Sequence, residues 1–345
     1  NIGWQAVGIA PVRNNFSGLV PVPGDGTYEW DRYLPILQKP NALNPTKGFI
    51  ATANQNVTPK DYPHWNAIGY SWSDPYRGEH VNEVLENNDA LTMEDMKALQ
   101  VDVTSIPART LIPYLKGLHF DAFETVQKER LLNWDTRLNS SSIEAAIYVS
   151  WENEIKNAAY TSFVPEQVKP YLTSLQLKRI LDWIENPKNA FFGTVKKRDA
   201  FLKKTFITAI DNLKKRLGSN SQSWRYGQTK FKHSFIEHAL GGISNQAFAS
   251  QLNLGPLPRG GNAYTPGSTG GNDRQSSGAS FRMIVNTGDW DTAIGTNAPG
   301  QSGNPESPFY NNLYKDWAED RYFPIYYSKE KIQSVTYKRT RLVPQ

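Results

Sequence analysis

Two polar side chains in one stretch are candidates for chemistry. Asn54 and Arg77 lie in GFIATANQNVTPKDYPHWNAIGYSWSDPYR, residues 48–77. An asparagine side-chain NH2 can donate to an oxyanion that forms on a carbonyl under attack. In a water-excluded pocket such a donor is worth roughly 10²–10³ in turnover. An arginine nearby can orient that amide, or hold an acidic substrate group in its planar fork. The spacing alone leaves a plainer reading open, with Asn54 capping a strand-to-loop turn and Arg77 in an ion pair at a helix start.

Other chemistries find less support. The five histidines, at 64, 80, 119, 233 and 238, lack the i, i+4 helical spacing of a zinc-peptidase motif. With no cysteine the chain forms no disulfide, thiolate–zinc site or thiol nucleophile. No glycine motif ends in the Gly-Lys-Ser/Thr that cradles phosphate, and no GxSxG elbow occurs.

Some element must position Asn54 and Arg77. Phe49–Ala51 predicts a short buried strand leading to Asn54, and Arg77 opens a helix. Before them, residues 1–63 are rich in Gly, Pro and Asn, with turn chemistry at Pro23-Gly24-Asp25-Gly26. IGWQAVGIA reads as a strand. Residues 78–240 change to helical periodicity. Thr92 predicts an N-cap with an acid in the first turn, and Pro107 suits the first turn of a second helix carrying Leu111, Ile112 and Leu115. Further helices are predicted over 124–132, 143–163 and 199–217, the last closed by Gly218.

Residues 241–310 return to Gly, Asn, Ser and Pro. GPLPRGGNAYTPGSTGGNDRQSSGAS has a linker's composition, yet Tyr264 and its prolines suit an ordered pocket-lining loop equally. SFRMIV then predicts a strand, TAIG a second, and SVTYKRTRLV a terminal one. The order of strands, helical block and strands predicts an α+β fold. Its first part spans 1–77, a helical lobe 78–240, and closing strands 241–345, with the two strand groups pairing across the lobe.

Composition bounds the partners. With 39% hydrophobic and 21% charged residues the chain is globular rather than disordered. Its ten Trp and seventeen Tyr suit packed loops and pocket walls. A net charge of +5 over 345 residues is mild. The basic runs Lys196–Arg198, Lys203–Lys204 and Lys214–Arg216 fall on one helix opposite Phe206, Ile210 and Leu213. They read as a solvated face rather than a nucleic-acid surface. No apolar run is long enough for a membrane helix. The opening Asn1-Ile2-Gly3-Trp4 reads as mid-strand, so the native polypeptide is expected to begin earlier.

Several motifs in order carry a resemblance: NIGWQAVGIAPVR, LVPVPGDGTYEW, NPTKGFIATANQ, PKDYPHW and WSDPYR, then GPLPRGGNAY, GASFRMIVNTGDWD, PGQSGNPESPFY and WAEDRYFP. Together they resemble the large chain of the penicillin acylase family of N-terminal-nucleophile amidohydrolases. The resemblance covers nearly the whole chain and is weakest over the helical block. It implies an αββα sandwich with an inserted helical lobe. It also implies hydrolysis of an acyl-amide bond, as in penicillins or acyl-homoserine lactones, in a periplasmic or secreted enzyme. The family's nucleophile is a serine at the free amino terminus of the large chain, with its own α-amine as base, which is partly neutral at working pH.

Within that resemblance Asn54 falls on the oxyanion asparagine and Arg77 on the arginine that supports it. The nucleophile and most of the acyl pocket are expected upstream of Asn1, on partner segments cut from the same precursor. No cofactor is required. Some members hold a structural calcium, and Asn66 stands at the position of one carboxylate ligand, without the charge. The rival reading is a non-catalytic secreted domain holding a glycan or peptide with its aromatic loops. The upstream sequence separates the two: a processed serine terminus there supports the enzyme.

Overall fold

The computed structural model describes the chain except Ile243, Ser244, Asn272 and Gln345. It divides into two compact units, Asn1–Asp89 and Ala90–Gln345.

The first unit has little regular structure. Strands β1 (Gly3–Gln5) and β2 (Asn41–Leu43) pair antiparallel, Trp4 opposite Ala42. Helices α1 (Trp65–Ile68) and α2 (Tyr76–Glu86) follow. The predicted first strand thus shrinks to three residues. Val7 and Ile9 are exposed, and Gly8, at φ +94°, turns the chain out of the extended run. Val12, Leu34 and Ala67 form a small core under Tyr62 and Ile68.

The second unit opens with helices. Thr92 caps α3 (Met93–Gln100) in a reciprocal box: its hydroxyl accepts from Asp95 N while the Asp95 carboxylate accepts from Thr92 N at 2.8 Å. Thr92→Ala should destabilise this unit by about 1 kcal/mol, read as a lower urea midpoint at constant slope. Helices α4 (Ile106–Leu111, with Pro107 at its start), α5 (Ala122–Leu132) and α6 (Ile143–Phe163) follow, then α7 (Leu177–Glu185) and α8 (Val195–Leu217).

The two long helices build the core. Trp151 of α6 meets Phe206 of α8 edge to face at 5.5 Å, and its indole N–H donates to the Thr205 hydroxyl at 3.1 Å. That bond satisfies the one polar atom of a fully buried indole. Leu202, Ile210 and Leu213 are buried on the same side of α8. Lys196, Lys197, Lys203, Lys204, Lys215 and Arg216 are exposed, as an amphipathic helix requires. Lys214 pairs with Glu124, and Arg216 with Asp273.

Two three-stranded sheets complete the unit. In one, β3 (His233–Ile236) lies between β4 (Leu254–Pro258) and β5 (Arg274–Gln275); α9 (Gln246–Leu252) precedes β4. In the other, the hairpin of β6 (Arg282–Asn286) and β7 (Asp289–Thr296) is joined by β8 (Phe323–Pro324). Helix α10 (Tyr314–Ala318) lies before β8, and α11 (Lys329–Val335) follows it. Tyr310, Tyr314 and Trp317 pack with Leu254 in a satellite core.

Two expectations are corrected, at the sheets and at the C-terminal segment. Each described sheet draws its strands from one unit, so the predicted pairing of early with late strands is not formed. On β6 the polar face points inward. Arg282 and Ile284 are buried while Phe281 and Met283 are half exposed. The reason is electrostatic: Arg282 reaches the Asp320 carboxylate at 2.6 Å and the Trp317 carbonyl at 2.7 Å, so its charge is compensated where it is buried. The stretch SVTYKRTRLV is not a strand. It begins in α11 and runs on without regular structure, Tyr337 and Leu342 fully exposed, because no strand pairs with it.

The described residues of the Gly-rich stretch are packed rather than linker-like. Tyr226 donates to the Gly261 carbonyl at 2.8 Å, and Lys232, fully buried, donates to the Thr269 carbonyl at 2.6 Å. The Glu152 carboxylate accepts from Asn262 Nδ2 at 3.5 Å. Thr265 and Thr269 are buried. Glycine is needed where these backbones touch: a Cβ at Gly260 would stand 2.7 Å from the Leu138 carbonyl.

Candidate oxyanion site

The predicted strand before Asn54 is not present. Residues 49–51 have no ladder partner and are half-buried rather than buried. Gly48, at φ +76°, breaks the extension before it starts. The chain instead runs through a turn in which Asn54 itself takes a left-handed conformation, φ +68°. Among non-glycine residues asparagine tolerates that region best, because its short polar side chain bonds locally. The turn presents Asn54 to solvent.

Arg77, the second residue of α2, is half-buried. Its Nη2 donates to Asn54 Oδ1 at 2.8 Å across 23 residues of sequence. A guanidinium has donors only, so the amide atom facing it must be the oxygen. This bond therefore settles the amide's orientation. Oδ1 is held by Arg77, and the Nδ2 donors face the other way. Burial pushes the guanidinium down from its ordinary value; it stays protonated at neutral pH. The bond is charge-assisted, and its positive end draws electron density from the amide and sharpens the NH2 as a donor. The two residues singled out in the sequence thus meet directly.

Neighbouring residues hold this pair. Gln55 Oε1 accepts from Ala53 N at 2.6 Å, closing the turn around Asn54. The Gln55 carboxamide lies on Gly78, where a Cβ would come within 2.3 Å of its Cδ. Gln55 and Gly78 escape sequence reasoning, because each is unremarkable until the turn and the helix start are side by side. The adjacency of Arg77 to a glycine in a helix was the available signal. Next to the turn lies a mainly apolar cavity of about 270 Å³. Trp4, Phe49, Ile50 and Val57 wall it, Thr52 and Gln55 border it, and Lys47 at its rim bonds Asn82 at 2.9 Å.

Asn66 lies on α1 and does not meet Asn54 or Arg77 in a hydrogen bond. Its Nδ2 donates to Asn14 Oδ1 at 3.3 Å, and its backbone carbonyl accepts from Arg13 N at 3.1 Å. Arg13 Nη1 stands 3.5 Å from the same carbonyl. Calcium takes roughly six to eight oxygens, several of them charged. A neutral amide oxygen is a weaker partner for that ion than a carboxylate, and among the described residues no group of three or more His, Asp or Glu is placed to hold a metal. The Gly-rich stretch borders two further cavities, of about 570 and 590 Å³. Gly260, Gly267 and Thr269 line the first, and Ser276–Gly278 the second.

Residues 1–334 match the family model described as penicillin amidase. The acyl-homoserine lactone acylase QuiP of Pseudomonas syringae pv. syringae is 28% identical over 94% of this chain and 43% of its own length. The penicillin acylase 2 proenzyme of a Pseudomonas species is 25% identical over 100% of this chain and 45% of its own length. The chain therefore spans less than half of these curated relatives. A thermostable penicillin G acylase from Alcaligenes faecalis superposes with a TM-score of 0.68 at 17% identity, over 99% of this chain and 65% of that one. The α+β fold is thus shared with that penicillin G acylase.

Proposed function

Because the chain belongs to the penicillin amidase family, we propose that it is the oxyanion-stabilising part of an acylase that hydrolyses the amide bond of small N-acyl substrates. The observation that supports this is the Arg77–Asn54 bond, which turns the amide NH2 of an exposed asparagine outward as a polarised donor. Relatives named for acyl-homoserine lactones and for penicillins support an N-acyl amide as the substrate class.

In this reading a serine at a processed amino terminus attacks the scissile carbonyl, and its own amine takes the proton. The carbonyl oxygen becomes an oxyanion, and Asn54 Nδ2 donates to it as the charge develops. Arg77 does not touch the oxyanion. It holds Oδ1 so that the donor needs no reorganisation during the reaction. The serine belongs to a part of the protein outside these 345 residues, consistent with a relative named as a proenzyme and with the fraction of each relative spanned. The remainder of the same precursor is then the partner of this chain, and the periplasm or cell exterior its place.

The test compares the full gene-encoded protein with the 345-residue chain on an N-acyl-anilide, an acyl-homoserine lactone and a penicillin. The full protein is expected to release the acyl group from at least one, and the chain alone from none. Turnover by the isolated chain would place the nucleophile within it. Inertness of the full protein toward all three would overturn the reading.

A further inference from the structure

The hydrogen bond to Arg77 decides which amide atom of Asn54 faces outward, but the line along which the NH2 points has a second determinant. That direction also depends on the backbone of Asn54, which sits at φ +68°, a region a non-glycine residue leaves readily. We propose that Gln55 and Gly78 form a positioning latch that holds this conformation and so aims the Asn54 amide; the proposal rests on the oxyanion reading of Asn54.

Two adjacent pairs face each other, Asn54–Gln55 on the turn and Arg77–Gly78 at the start of α2. Arg77 takes the Asn54 side chain. Gly78 gives the Gln55 side chain a place to lie, and Gln55 Oε1 accepts from Ala53 N, one residue before Asn54. The Gln55 bond therefore spans Asn54 and ties its flanking residues together. Only glycine at position 78 leaves the room, since a Cβ would stand 2.3–2.5 Å from three atoms of the Gln55 carboxamide. Gly78 is buried inside a helix, where glycine is otherwise unfavourable, and the close approach of Gln55 explains its presence.

The latch predicts a particular pattern in the full protein. Gln55→Ala should lower kcat about 10-fold at unchanged KM, as expected when one net hydrogen bond no longer supports the transition state. Gln55→Glu keeps an acceptor for Ala53 N and should restore most of the loss. Gly78→Ala displaces the Gln55 side chain and should match Gln55→Ala. The double variant should be no slower than the worse single one, because both remove the same contact. Hydrogen exchange of the Ala53 amide, followed without any turnover, should accelerate about 10-fold in Gln55→Ala and in Gly78→Ala. A structural contact unrelated to Asn54 would instead lower the unfolding midpoint without this kcat-specific pattern.

An Asn54→Ala arm separates the two ideas. Wild-type kcat in that variant overturns the oxyanion reading, and Ala53 exchange then decides the latch by itself. Slow Asn54→Ala with wild-type kcat in Gln55→Ala, or unchanged Ala53 exchange, overturns the latch.

Discussion

Replacing Asn54 with alanine is expected to lower turnover of the full protein by about 10²-fold or more, with the fold intact. The side chain is exposed, so little packing is lost. What is lost is a donor turned outward by the Arg77 bond at 2.8 Å. KM should change little, because a charged oxygen exists only in the transition state, and an interaction made only there appears in kcat. Two controls sharpen the result. Asn54→Gly relieves the left-handed backbone while removing the amide, so an equal loss assigns the effect to the side chain. Asn54→Asp leaves Arg77 a partner but puts an anion where the oxyanion forms, and should be at least as slow. Wild-type kcat in Asn54→Ala would remove this residue from the mechanism.

The second large effect concerns stability and lies at Asp320. This one carboxylate bridges two buried arginines. Arg259 forks onto it with both terminal nitrogens at 2.7 Å, and Arg282 reaches it at 2.6 Å. Both arginine side chains are 5% exposed. The surplus positive charge is met by the end of α10: Arg259 bonds the Ala318 carbonyl and Arg282 the Trp317 carbonyl. A helix C-terminus carries unsatisfied carbonyls and partial negative charge, so it suits two cations. Asp320→Ala leaves two guanidiniums facing each other without their anion. We expect a loss of about 3 kcal/mol, the lower end for a broken buried pair, because Asp320 is 27% exposed and water reaches the gap. Urea unfolding should show a lower midpoint at constant slope. Asp320→Asn, which keeps acceptors but not the charge, should cost less. An unchanged midpoint would mean that the helix carbonyls alone compensate the arginines.

How much was legible depends on how local each determinant is. Helices α3, α6 and α8 follow from caps and apolar spacing. Thr92 with its first-turn acid, and Gly218 after Leu217, act within one or two turns, so no distant residue has to be known. The family was legible for a different reason, because many short motifs kept their order along the chain. Strands were read less well. A strand needs a partner, and nothing in residues 49–51 or 336–343 says whether one will arrive. Which face of β6 is buried was not legible on the same grounds. Alternation shows that two faces differ, but Arg282 is buried only because Asp320 and the α10 carbonyls are there to meet it.

The sequence by itself determined the residue types of the site and the fold class. It supplied an asparagine able to adopt a left-handed turn, an arginine at a helix start, and the ordered motifs of the penicillin amidase family. Tertiary structure alone decided what these residues do to each other. It brought Arg77 to Oδ1, set Gln55 against Gly78, and placed the Asn66 amide against Asn14. The physical reason is distance along the chain. A cap or a turn is fixed by residues within a few positions, whereas which atom of the amide faces outward is fixed by a partner 23 residues away, through a bond that exists only once both segments have folded.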